Sequence, residues 1–130
     1  MAIDVGKHKE LVRSIIKKYG FNNSHLYIVS DIQQWVIAHG VRKYIPDKVA
    51  MVVWREKTVI PDFVFAKNIS DEEVESVKGE KVFRGFYIET GELKEEILFL
   101  RHAVLHEIAH AKGIEDEKKA DKWAFAMVGR

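Results

Sequence analysis

One pentapeptide in this 130-residue chain, His106-Glu107-Ile108-Ala109-His110, has the residue types and spacing for hydrolytic metal chemistry. It lies inside a long apolar-periodic stretch that predicts a helix. At about 100° per residue, His106 and His110 project about 40° apart and one turn along the axis. Both imidazoles can therefore reach one Zn²⁺ at bond lengths of about 2.0–2.1 Å. Glu107 lies roughly 60° round the helix from His110, placed to take a proton from a zinc-activated water without being a ligand itself. The expected chemistry is metal-assisted hydrolysis, with His106 and His110 as ligands and Glu107 as general base.

The residues that follow can close the site. Gly113 suits a left-handed position after the helix, with apolar Ile114 behind it, as in a Schellman ending. Asp116 is the expected N-cap of a last helix reaching about Val128. So short a connection predicts an antiparallel helical hairpin. Glu117, Asp121, Ala124 and Val128 share one stripe of that helix, with Ala120 beside it. Small Ala120 and Ala124 let the two backbones approach, and the carboxylates then face His106 and His110. Glu117 and Asp121, one turn apart, can divide the work, one ligating zinc and the other orienting a ligand imidazole. The ordinary reading of this pair is as first-turn acids that complement the helix dipole. Glu117, Asp121 and Asp116 all stand as candidate third ligands.

His106-Glu107-x-x-His110 followed by Glu117-x-x-x-Asp121 resembles the zincin metallopeptidases of the gluzincin type. The run Glu117-Lys118-Lys119-Ala120-Asp121-Lys122-Trp123-Ala124 is similar to the corresponding stretch of the ImmA/IrrE group of regulatory peptidases. The resemblance covers roughly residues 92–128. It implies a zinc peptidase in which His106, His110 and Glu117 bind one Zn²⁺, Asp121 braces a histidine, and Glu107 is catalytic. It also implies a sheet preceding the active-site helix, with Val82–Glu89 as candidate edge strand for an extended peptide. Reading on to Gly113 and Asp116 gives a second likeness, to the metzincin pattern with Asp116 as third ligand.

These residues need a scaffold. Leu11, Val12, Ile15 and Ile16 recur at helical spacing from Lys7 to Tyr19, and Gly20 follows as a stop. Leu26–Val29 and Val49–Trp54 read as strands. Ser30 or Asp31 could cap a segment through Trp35 that is open between helix and strand. Pro61 marks the run from Thr58 to Phe65 as interrupted or at a sheet edge. Ser70 and Glu73 form a capping box for a short helix. Val82–Glu89 is the last expected strand. Between about Glu92 and Lys112, Leu93, Ile97, Leu100, Val104, Ile108 and Ala111 share one sector, and Leu98, Leu105 and Ala109 another. A helix apolar in several directions is buried centrally. The expectation is one α+β domain over residues 1–130, a small antiparallel or mixed sheet packed with helices.

Composition narrows the function classes. Apolar residues are 47% and charged residues 32%, a soluble globular balance. With 21 Lys and Arg against 20 Asp and Glu, nothing suggests a nucleic-acid partner. The absence of cysteine excludes disulfides, thiolate metal sites and thiol nucleophiles. No apolar run is long enough for a membrane span, and the first ten residues hold no signal-peptide core, so a cytoplasmic monomer acting on a peptide or protein is expected. The alternative is a zincin-like module that holds, or cleaves, one protein partner. His102 extends the histidine row and reads as a core residue or as a support behind the ligands. His8, His25 and His39 read as surface or structural residues, and Trp35, Trp54 and Trp123 as core.

Overall fold

The computed structural model describes residues 2–39, 49–55, 59–78 and 95–128. It is α+β, as expected. Strand β1 (Ile3–Asp4) leads through a 3₁₀ turn (Gly6–His8) into α1 (Lys9–Lys18). Then come β2 (Leu26–Val29), α2 (Ile32–Ala38), β3 (Ala50–Arg55), β4 (Ile60–Ala66), β5 (Asn68–Ile69) and α3 (Asp71–Lys78). The chain ends with α4 (Glu95–Ala111) and α5 (Glu117–Val128). The expected strand Val82–Glu89 lies outside the described residues. No helix among the described residues is long and apolar enough to cross a membrane.

Local signals account for most element ends. Gly20, at φ 91°, closes α1, with Gly20 N bonded to Lys17 O and Phe21 N to Ile16 O. That pair of bonds is a Schellman motif, and the positive φ suits glycine because a Cβ is disfavoured there. The open segment after β2 is helical because the Asp31 carboxylate accepts from Gln34 N at 3.0 Å, a side-chain N-cap. Ser70 Oγ accepts from Glu73 N at 3.2 Å and donates to Glu73 Oε1 at 3.1 Å, so the predicted cap forms.

The main sheet is mixed, in the order β2-β4-β3, with β2 parallel and β3 antiparallel to β4. This corrects the expectation that Pro61 interrupts its strand or puts it at an edge, because β4 runs unbroken from Ile60 to Ala66 and is central. Phe63 N donates to His25 O on the β2 side. By the two-residue alternation, Pro61 turns its nitrogen to the same side, before β2 begins opposite Phe63. No ladder bond between β2 and β4 is lost. β1 and β5 form a separate two-stranded antiparallel pair, which the sequence reading did not anticipate.

The sheet has two apolar faces. Met51, Val64 and Ala66 pack with Ile32 and Val36 of α2. Ala50, Phe63 and Phe65 pack with Val12 and Ile16 of α1, with Phe99, Leu100, Val104 and Ile108 of α4, and with Ala124 and Val128 of α5. Helix α4 contacts α1, β3 and α5 and is the central helix predicted. Apolar burial, at about 25 cal/mol per Å², on this face helps to fix the position of α4. Asp62 is buried but paired, its carboxylate taking Arg55 Nε at 2.7 Å and Arg55 Nη2 at 3.1 Å. Of the tryptophans, Trp35 stacks on His39 and Trp123 meets Tyr19 edge-on, whereas Trp54 is exposed rather than core.

Candidate metal centre

Helices α4 and α5 form the predicted antiparallel hairpin, and the turn between them does more than connect. Gly113, at φ 101°, lets Gly113 N bond His110 O and Ile114 N bond Ala109 O, a second Schellman ending. Asp116 Oδ1 accepts from Lys119 N at 2.9 Å and caps α5. Ala120 and Ala124 are fully buried against α4, so no large side chain holds the helices apart.

Four of the predicted site residues meet across this hairpin. His106 Nε2 is 2.7 Å from Glu117 Oε2, His110 Nε2 is 3.2 Å from Glu117 Oε1, and the two Nε2 atoms are 3.0 Å apart. Asp121 Oδ1 lies 2.6 Å from His106 Nδ1. The Ile114 carbonyl lies 2.8 Å from His110 Nδ1. A carboxylate oxygen and a carbonyl oxygen can only accept, so both imidazoles donate through Nδ1. In the neutral tautomers, Nε2 of each ring then carries a lone pair. Two such lone pairs and a carboxylate then face one another, an arrangement that a metal ion or a proton can satisfy.

The dimensions suit a metal ion. Donors at about 2.0–2.1 Å from a tetrahedral centre stand about 3.3 Å apart. The observed separations of 2.7, 3.0 and 3.2 Å are all shorter than that, and the two to Glu117 involve different oxygens, so the three side chains would move apart slightly to admit an ion. His106, His110 and Glu117 form the one group of potential ligands found among the described residues. Without a metal, a proton must serve. Burial works against an imidazolium at His106, but the Asp121 hydrogen bond and the charges of Glu107, Asp121 and Glu117 outweigh it and raise its pKa to about 9.

Glu107 is buried, 7% exposed, beside the cluster and close enough to stabilise charge on His106. Asp116 does not join the ligand group, because its carboxylate is committed to the α5 cap. The sequence reading missed Ile114 O as the partner of His110 Nδ1. The Schellman pattern was the available signal, since it folds that carbonyl back over the last turn of α4.

The remaining histidines are structural or superficial. His8 pairs with Glu96 at 3.0 Å and ties the N-terminal segment to the start of α4. His25 contacts Tyr27 OH at 3.2 Å, and His39 donates to Trp35 O at 2.8 Å. His102 is buried next to Asp121 and Phe125. Desolvation, with His106 adding to it, lowers its pKa to about 4 against the opposing pull of Asp121.

Comparison of the chain with protein-family models, with curated proteins and with solved structures finds no match.

Proposed function

We propose that this chain is a zinc-dependent metallopeptidase of the gluzincin kind, with His106, His110 and Glu117 holding one Zn²⁺ per chain. The observation that carries the reading is the convergence of two Nδ1-anchored imidazoles and one carboxylate within 2.7–3.2 Å of one another. Bound there, zinc would supply Lewis-acid chemistry toward a carbonyl and a nearby water. The protein's own groups do the rest. Asp121 and the Ile114 carbonyl hold the two rings by Nδ1 and so keep Nε2 of each directed inward. Glu107, on the adjoining side of α4, takes the proton of the attacking water and passes it to the leaving amine. The substrate class is a peptide bond in a peptide or protein.

The test uses chain purified without a histidine tag. The expected result is about one zinc per chain by metal analysis. Glu107→Gln should retain that zinc and lose turnover by a factor of roughly 10²–10⁴ on a peptide library, the range expected for removing a general base. Parent-like cleavage by Glu107→Gln would sink the mechanism. Absence of zinc from both proteins, even after reconstitution, would sink the metal site as well.

The burial of Glu107 favours a second reading, a module of this type that acts on one specific protein partner. Casein discriminates the two: the general peptidase degrades it, and the partner-specific module leaves it intact.

A further inference from the structure

A second concavity lies away from the histidine cluster, where α1, α4 and α5 enclose a cavity of about 270 Å³. Helix α4 contributes Arg101 and Leu105 to it. At about 100° per residue, these two stand on average about 140° round α4 from His106 and His110, so the cavity and the cluster use different faces of one helix. The cavity walls are aliphatic, with Leu11 and Ile15 from α1, Leu105 from α4, and Met127 and Val128 from α5. Two cations also line it, Lys18 and Arg101, and among the described residues no acid does. Lys18 is exposed, with Nζ 5.9 Å from the Tyr19 ring centroid. Arg101 is only part exposed, and among the described residues its guanidinium has no hydrogen bond or ion pair. A guanidinium held beside apolar walls is weakly screened, and its planar fork matches a carboxylate.

We propose that this cavity binds a medium-chain monocarboxylate, with its alkyl body on the aliphatic walls and its carboxylate on the Arg101 guanidinium. Lys18 adds positive potential to the same site. The charge of the lining selects the head group: an anion completes Arg101, a neutral head leaves it without a counter-charge, and a cation is repelled. The dimensions select the body. From Leu11 to Lys18 the lining follows α1 for two helical turns, about 10 Å. At roughly 1.2 Å per backbone bond in an extended chain, that length takes about eight bonds. The volume lies just below the range of about 300–1,000 Å³ typical of drug-sized sites, which also points to a small ligand. The inference is independent of the metal reading, because none of His106, Glu107, His110 and Glu117 lines the cavity.

Titration of the full chain with octanoate, followed by NMR of ¹³C-methyl-labelled methionines, tests both the site and its selectivity. Met127 lines the cavity, whereas Met51 packs against α2 on the other face of the sheet and serves as the internal control. Octanoate should shift the Met127 methyl saturably and leave that of Met51 in place. Octanol, with the same chain and no charge, should bind roughly tenfold more weakly, the loss expected without a charge-assisted hydrogen bond. Arg101→Met keeps an unbranched side chain in the wall and removes the charge. It should weaken octanoate by a similar factor, roughly tenfold, and leave octanol unchanged. Should Arg101→Met not fold, the parent's salt dependence carries the same contrast, since added salt should weaken octanoate and spare octanol. Four results would each overturn the proposal: no saturable shift of Met127 with millimolar octanoate, equal shifts of Met127 and Met51, equal affinity for octanol and octanoate, or an octanoate affinity indifferent to Arg101→Met or, where that variant does not fold, to salt. Each would leave the metal site standing.

Discussion

The carboxylates around His106 favour a proton on its ring, and this makes the chain's stability depend on pH in a defined way. A group with a folded pKa of about 9 against 6.5 unfolded stabilises the fold fully below pH 6.5 and loses that contribution as pH rises toward 9. His102 acts with the opposite sign. Its folded pKa of about 4 means that the unfolded chain takes up a proton first, so stability falls as pH drops from 6.5 toward 4. Together they predict a maximum in chelator-treated protein near pH 6.5, measurable by urea denaturation between pH 4.5 and 9.5. Asp121→Ala should flatten the alkaline limb, because it removes the hydrogen bond that most favours the charged ring. A profile flat from pH 6.5 to 9 would contradict a protonated His106. Zinc competes with that proton, so its apparent affinity should rise over the same interval.

At the scale of the element, the turn between α4 and α5 positions the histidine–carboxylate cluster. Gly113 sets the path of the chain, Ile114 O fixes the tautomer of His110, and Asp116 caps the helix whose first residue is Glu117. Gly113→Ala meets no atom within 4 Å of the added Cβ, so its whole cost is backbone strain at φ 101°. That should be about 1–2 kcal/mol in urea denaturation. A zinc affinity measured alongside should fall as well, since displacement of Ile114 O loosens the His110 ring. Equal stability and equal affinity would show that the left-handed position is not required. The helix-terminus signals at Gly20, Ser70, Gly113 and Asp116 were legible because each acts within about five residues of its partners. Ser30 or Asp31 as cap, and helix or strand after it, stayed open until the structure showed the Asp31 cap. Pro61 was misread because the cost of a missing N–H depends on which strand lies opposite it, and that is a tertiary fact.

At the scale of the whole molecule, α1, the sheet and α5 hold α4 in place, and a metal would close the edge of that assembly. Zinc at about 100 times its dissociation constant should add about 2.7 kcal/mol to the folded state, or roughly 10 °C in Tm for a domain of this size. A chelator should reverse the gain, and His106→Ala should abolish it. An unchanged Tm for the parent with zinc in excess would argue against binding to the folded chain. The ion pair of Asp62 with Arg55 and the β1–β5 pairing also belong to this scale, and neither was visible as a local pattern.

By itself, the sequence determined the α+β class, the central helix carrying His106, Glu107 and His110, and the return helix carrying Glu117 and Asp121. Periodicity, caps and a short connection are local properties, and they suffice for a hairpin. Tertiary structure decided how the carboxylates are used. Glu117 spans both imidazoles, Asp121 turns to the far nitrogen of His106, and Asp116 is occupied by a cap. The physical reason is that Asp116, Glu117 and Asp121, within six residues of one another, differ little in local propensity. Their roles depend on the rotation and approach of α5 against α4, which buried Ala120 and Ala124 permit and the shared core enforces.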